Sequence, residues 1–416
     1  MSRCSENDDA LQRTFQGTPL AEFFLVSWWQ SSIPCVDQRL PQELWDITIS
    51  YLSGNAKCLK ACSLTCRALR QASRKLFWRR LRLQSSAGLE SLLSEHPDVA
   101  VFVQKLSIYL PLAKIQLLLK LKNLQSLTWS SESDKEDRGR DDTTPLLPWA
   151  QGLTFPGVTD LTVLWYDDLQ DVSRLGLLSC FPSIISLHIR GALYRADKRV
   201  VGQQQEELRA ISLSLSHLQY LAFGYTRLVP AFLRIMRATG DSLKSIKLEL
   251  LEGPDEVTAE FMDISAATHL TGLEMRLGVR PTSQNWGDSL AMMLQHINSS
   301  HHSLSHIILH VPSLFPDRDT GLQKTWEAPG ERLGQQLSRV MNDVPEAIIT
   351  FCQHGSLSNW AAQHAHGTLG HNLQKDFPDL TAFPERLRFE WNIKVWSAEE
   401  GINRMHNEAL IQDWQI

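Results

Sequence analysis

The chain has 416 residues, 43% of them hydrophobic and 21% charged, with 22 glycines and 18 prolines. That composition is too apolar for a disordered chain and carries no collagen-like bias, and the length accommodates two or three ordinary domains or one long repeat array. A net charge of −5 argues against a wholesale nucleic-acid binder.

The chain opens on Met-Ser-Arg-Cys-Ser-Glu-Asn-Asp-Asp. This stretch is acidic and leads into no apolar core, which predicts no secretory signal. The most apolar early run, Phe23-Phe24-Leu25-Val26-Ser27-Trp28-Trp29, is far shorter than the roughly 20 residues that cross a bilayer. The 7 cysteines are sparse and odd in number. They predict free thiols in a reducing compartment, hence an intracellular protein of the cytoplasm or nucleus with no membrane partner. Residues 1–38 read as an N-terminal tail.

Residues 40–83 carry the clearest local signals. Pro41 and Glu43 suit the first turn of a helix, where a missing N–H costs nothing and the dipole favours an anion. Leu44, Ile47, Tyr51 and Leu52 follow at helical spacing and predict one apolar face. Gly54 predicts a stop and Asn55 the cap of a second helix, with Leu59, Cys62, Cys66 and Leu69 on one face. A third short helix carries Leu76, Phe77, Trp78 and Leu81. Three such helices bury little surface by themselves, so a partner or a following domain is expected to cover the remainder. Between residues 57 and 82 lie nine Lys and Arg residues and no acid. That leaves −14 for the rest of the chain, the difference between −5 and +9.

The combination Leu40-Pro41-x-Glu43-Leu44, Tyr51-Leu52, Cys62-Ser63-Leu64-Thr65-Cys66-Arg67 and Phe77-Trp78 resembles an F-box, most like those of mushroom-forming fungi. The resemblance covers residues 39–84. It implies docking on a Skp-type adaptor and, through it, a cullin-based ubiquitin ligase. Matched position by position, it implies adaptor contacts at Leu40 and Pro41, at Leu44 and Ile47 on the first helix, at Leu59 and Cys66 on the second, and at Trp78. Thr65 stands where the family usually has an apolar residue, and Leu69 where it has a Trp. The family's partner is acidic, which gives the basic segment a use.

From about residue 100 to 395 the pattern apolar-x-x-apolar-x-apolar recurs. Its central positions are Leu106, Leu127, Leu161, Leu187, Leu221, Ile246, Leu273 and Ile307, spaced by 21, 34, 26, 34, 25, 27 and 34 residues. The alternation at the end of each motif predicts a strand with one buried face. Helix-like stretches at 111–122, 169–180, 229–238 and 256–267 separate the strands. Strand plus helix at this period is the leucine-rich-repeat arrangement, in which units stack because none buries its own face. Asn or Cys is absent three residues beyond the motifs, where Glu132, Tyr166, Ala192, Thr226, Leu251, Gly278 and Pro312 stand. The predicted fold is therefore α+β: a small three-helix F-box followed by an irregular leucine-rich-repeat-like α/β solenoid, with a closed β/α barrel as the alternative. Residues 131–148 begin with a run of six acids and three bases and read as an insertion. Residues 312–330 read as a loop, 383–389 as a late strand, and 396–416 as a capping helix.

Signals for catalysis are weak. Phosphate-loop, nucleophile-elbow and paired Cys-x-x-Cys motifs are missing. Cys58, Cys62 and Cys66 align on a helix without a fourth zinc ligand, and read as small buried hydrophobes. His301, His302, His306 and His310 cluster, but a strand would spread them about 13 Å at each step of four residues. Asp167-Asp168 lies where catalytic acids can sit. The expectation is a non-enzymatic protein without a cofactor or metal. It would bind a Skp-type adaptor and an unknown target protein and no nucleic acid, a scaffold with a vestigial F-box being the alternative.

Overall fold

The computed structural model describes residues 41–131 except 54 and 66, and residues 152–165, 171–191, 213, 215–224, 229–250, 263–277, 286–311, 331–357, 377, 380, 382–395 and 406–413. Leu40, Cys66, Gly54, Asp167-Asp168, the tail before residue 40, the insertion beyond Ser131 and the loop 312–330 therefore lie outside the described residues. No helix among the described residues is long and apolar enough to cross a membrane. The chain forms two compact units, one of residues 1–107 with 117–124, the other of residues 108–116 with 125–416.

The first unit opens on three helices, α1 (Gln42–Ser50), α2 (Ala56–Ser63) and α3 (Arg67–Phe77). They close on a small core of Ile49, Leu59 and Ala72, against which Leu52, Cys62, Leu69, Leu76 and Phe77 pack. Asn55 caps α2 by accepting from the Cys58 N–H at 3.0 Å. The second helix is shorter than its apolar spacing predicts. Ser63 Oγ donates to the Lys60 carbonyl at 2.6 Å and Thr65 Oγ1 to the Cys62 carbonyl at 2.7 Å. These hydroxyls compete with the helical ladder, end α2 at Ser63 and hand Leu69 to α3. The third helix correspondingly starts nine residues before Leu76, and Leu81 belongs to a strand, β1 (Arg80–Leu83). Helix α4 (Ser86–Glu95) follows, capped by Ser85 Oγ accepting from the Gly88 N–H, and buries Leu89, Leu92 and Leu93. The next strand is β2 (Lys105–Tyr109).

In the second unit the strands are β3 (Ser126–Ser131), β4 (Asp160–Trp165), β5 (Ser186–Gly191), β6 (Tyr220–Gly224), β7 (Ser245–Leu250), β8 (Gly272–Leu277), β9 (His306–Val311), β10 (Ile348–Leu357), β11 (Leu387–Val395) and β12 (His406–Asp413). They pair in chain order. Each pair from β3 to β11 is parallel, and β12 runs antiparallel to β11. No ladder runs from β12 back to the start of the series, so the sheet is not closed by hydrogen bonds among the described residues. The connections include α5 (Val229–Thr239), α6 (Trp286–Leu294) and α7 (Glu331–Asp343). The stretches around 111–122 and 169–180 are 3₁₀ helices, Leu112–Lys120 and Asp171–Cys180. The described part of 256–267 is turn, not helix.

The recurring apolar motif is the register of this sheet. Leu127, Leu161, Leu187, Leu221, Ile246, Leu273, Ile307, Ile349 and Leu387 stand side by side across nine strands, and all are buried. Backbone, rather than a side-chain Asn ladder, ties successive units together before each strand. The Gln125 carbonyl accepts from the N–H groups of Thr159 and Asp160, and that of Thr159 from Ile185 and Ser186. The carbonyls of Ile185, Gln219, Lys244 and Thr271 repeat the arrangement. Any residue except proline can supply these groups, which is why the polar position of a regular repeat is free to vary here.

Two strands escaped the motif. At β10, Glu346 occupies the leading apolar position, and Ala347 is buried instead. At β11 the leading position is Pro384, in a 3₁₀ turn that runs to Arg386. The capping helix expected over 396–416 is corrected by β12. Its Leu410 and Ile411 pair with Trp391 and Glu390, and the open edge of β11 offers a ladder that a terminal helix would leave unfilled.

Packing is tight where α7 meets the chain around Phe377. A Cβ on Gly334 would come within 2.7 Å of the Phe377 ring carbon Cδ1. Gly334→Ala is therefore expected to destabilise by about 1–3 kcal/mol through overpacking, although alanine favours a helix. A urea denaturation midpoint checks it, and Phe377→Leu should recover part of the loss.

Candidate functional site

Helix α1 carries two apolar faces, not one. Ile49 is 2% exposed and Leu52 packs on the same core. Leu44, Ile47 and Tyr51 are 44%, 54% and 85% exposed. At 100° per residue Ile49 lies about 140° round the helix from Leu44, so one set points inward and the other to water. The spacing of Leu44, Ile47, Tyr51 and Leu52 had placed all four on one face. Leu52 belongs instead to the core, together with Ile49.

Pro41 provides the entry to this surface. It is exposed and stands at the N-cap with φ −55° and ψ 150°, and its carbonyl accepts from Leu44 at 3.1 Å and from Trp45 at 3.4 Å. Glu43 sits in the first turn, as expected from the helix dipole. The helix carbonyls behind the exposed side chains are occupied. Thr48 Oγ1 donates to the Leu44 carbonyl at 2.8 Å and Ser50 Oγ to that of Ile47 at 2.6 Å. What α1 shows to solvent at Leu44 and Ile47 is thus apolar side chain over satisfied backbone, a surface that gains by being covered.

The other expected contacts fare differently. Leu59 is 2% exposed, inside the core, and its assignment as an adaptor contact is corrected. Its burial follows from its place on the inner side of α2, facing α3. Trp78 is half-buried and packs edge-on against Phe77, with ring centroids 5.1 Å apart. Leu40 and Cys66 lie outside the described residues. Tyr51 and Leu64, 85% and 55% exposed, belong to the runs that carry the F-box resemblance but are not among the contacts it implies. Tyr51 was legible from its place two turns beyond Leu44. Leu64 stands at the C-cap of α2, just after the helix ends at Ser63.

The basic segment, residues 57–82, runs through α2, α3 and β1. Lys57, Lys60, Lys75, Arg79, Arg80 and Arg82 are exposed. Arg74 pairs with Asp98 at 2.8 Å, and Arg79 Nε donates to Gln104 Oε1 at 2.7 Å. Most of the positive charge therefore faces solvent.

The histidines serve the repeat. His301 is fully buried at the turn position filled elsewhere by Leu121, Phe155, Phe181, Leu215 and Ala267. Its Nδ1 accepts from the Asn298 N–H at 3.2 Å, so Nε2 carries the proton and donates to the Ile264 carbonyl at 3.3 Å. His310 points from the other face of β9 and bonds Glu274 at 2.8 Å. Among the described residues no three His, Cys, Asp or Glu side chains converge as a metal site.

No protein-family model matches the chain, and no curated protein matches its sequence. The reading of the α1 surface therefore rests on its own chemistry and on the resemblance of its residues.

Glu274 is the most strongly perturbed carboxyl described. The hydrogen bond from His310 and the Lys247 ammonium hold it at about 2, against the upward push of burial. A carboxyl depressed in the folded state stabilises fully above its unfolded value near 4.5, and that stabilisation is lost as pH falls toward about 2. Glu274→Gln should flatten the acid side of the stability curve. Urea midpoints taken between about pH 6 and about pH 3 check this.

Proposed function

We propose that this chain is the substrate-recognition subunit of a Skp- and cullin-based ubiquitin ligase. Its three-helix segment docks on a Skp-type adaptor, and its strand array, an open α/β solenoid, holds a target protein. The observation that carries this reading is the solvent-facing apolar stripe of α1. Leu44 and Ile47 match the positions where the F-box resemblance implies adaptor contact, and the fold exposes both while burying Ile49 and packing the half-buried Leu52 on the core. The exposed lysines and arginines of residues 57–82 suit an acidic partner and would speed its association.

The function is one of proximity. Adaptor and cullin bring the conjugating machinery, the array brings the target, and holding both on one chain raises the effective concentration of one at the other. Capture of a purified Skp-type adaptor by the full chain tests the reading, with Leu44→Glu/Ile47→Glu as the comparison. Equal capture by the two proteins would overturn it.

A further inference from the structure

The histidines that cluster in the sequence part company in the fold. His301 and His310 are committed to the array. His296 Nδ1 lies 3.4 Å from Asp263 Oδ1, and His306 Nδ1 lies 2.7 Å from Ser305 Oγ. His302 is exposed, and the ring beside it belongs to the turn of the preceding unit: His269, also exposed. The two ring centroids are 6.4 Å apart, with the ring planes at 72°.

Both rings stand on turns whose backbones are fixed. His269 lies between Ala267 and Leu270, and His302 between His301 and Leu304, all four of them buried. The Leu270 N–H donates to the Ala267 carbonyl at 3.1 Å, and the Leu304 N–H to that of His301 at 2.9 Å. The turns are also tied to each other. His301 Nε2 reaches the Ile264 carbonyl at 3.3 Å, and the N–H groups of Ser305 and His306 both donate to the Thr271 carbonyl, at 3.0 and 3.2 Å.

The ring nitrogens suit a metal ion. A carbonyl only accepts, so the 3.1 Å contact of His302 Nδ1 with the Ser300 carbonyl places a proton on Nδ1. Nε2 of the neutral ring then keeps its lone pair, the arrangement in which a backbone carbonyl orients a ligating imidazole. His269 makes no hydrogen bond or ion pair among the described residues, which leaves its nitrogens available. Two imidazoles that share one ion hold their ring centres about 5–6 Å apart at metal–nitrogen bonds of about 2.0–2.1 Å. The observed separation is close to that range, and exposed side chains change rotamer freely.

We propose that His269 and His302 together chelate one divalent transition-metal ion of the imidazole-preferring kind, such as Ni(II), Cu(II) or Zn(II), with water in its remaining positions. Two protein ligands leave the site open, so the ion exchanges with solvent and differs from the closed four-ligand centre of a structural zinc. Bound there, it ties the turn before β8 to the turn before β9 from outside. It thereby adds to the contact between neighbouring units on which a stacked array depends. The site does not depend on the ligase reading.

Ni(II) alone is the probe, added to the full chain, with amide exchange of residues 263–270 and 298–305 as the readout. At saturating Ni(II), exchange in both turns of the wild-type chain is expected to slow at least about tenfold. His269→Asn and His302→Asn should each abolish that slowing. The double variant should lose no more than either single one, because an imidazole left alone does not chelate. Both positions are exposed, so the metal-free melting midpoints of all four proteins should coincide and serve as the control for folding. Exchange that ignores Ni(II), or slowing that survives either substitution, would overturn the proposal. So would Ni(II) retained equally in dialysis by wild type and double variant with no slowing in the two turns, which would place the ion elsewhere on the chain.

Discussion

Leu44→Glu combined with Ile47→Glu should abolish adaptor capture while leaving the folded chain intact. Each wild-type side chain is about half exposed, so covering it removes only part of its apolar area and contributes on the order of 1 kcal/mol. The larger effect is the replacement. A carboxylate carried into an apolar contact without a partner costs several kcal/mol. Two of them imply a loss of at least about 1,000-fold, or about 4 kcal/mol. Stability should barely change, because both positions face water and glutamate is a good helix former. Ile49→Ala is the informative contrast. It lies in the core with Leu59 and Ala72, and should lower the unfolding midpoint together with adaptor binding. Binding isotherms and thermal melts of the two variants therefore separate the outer face of α1 from the inner one. Retained capture by the double variant would remove the ligase assignment.

Arg386→Leu is expected to be the most damaging single substitution in the strand array. The Arg386 guanidinium reaches back from the turn before β11 to three carbonyls around the end of α7. It donates to Met341 and Val344 at 2.8 Å and to Ala347 at 2.9 Å, and it lies 5.4 Å from the centre of the Phe383 ring. Carbonyls at a helix end have no intrahelical donor, and they repel anything but a donor or a cation. Burial draws the Arg386 pKa down, yet a guanidinium remains charged. Leucine would fill the space and remove the guanidinium donor from all three carbonyls, of which that of Val344 keeps the Ala347 N–H at 3.1 Å, a loss of about 3–5 kcal/mol when unmade bonds to a charged group are counted. Lysine should recover little, because a point charge on a flexible stem cannot serve three acceptors at once.

Arg339 makes the same contact one unit earlier. It bonds the carbonyls of Leu294, the last residue of α6, and of Ile297 just beyond it, and is held by Asp343 at 2.9 Å. Because repeat arrays unfold in parts, amide exchange is the better readout than a single midpoint. Arg386→Leu should speed exchange through β10 and β11 and leave β4 to β7 unaffected. Uniform acceleration across the sheet would show that Arg386 does not act as a local clamp.

Legibility differed from element to element for physical reasons. The strands from β3 to β9 were visible because their burial is periodic in two and repeats in register, a property each segment carries by itself. Strand β10 was not, because Glu346 replaces an apolar side chain at a turn where the backbone alone makes the link to the preceding unit. At β12 local helical spacing lost to an open strand edge that no local rule reports. On α1 the residues of the candidate site were all legible, but the face was not. Leu44 and Leu52 look alike in sequence, and only the position of α3 decides which is covered.

The sequence by itself determined the charge separation, the three short N-terminal helices and the strand face that becomes the buried row, because composition, caps and alternation act within a few residues. Tertiary structure decided which apolar side chains remain exposed, that Leu59 lies in the core, and that His301 is a repeat position. Each of these depends on residues distant in the chain. Burial is a property of the neighbour, and parallel strand pairing from β3 to β11 places residues from 25 to 42 positions apart side by side.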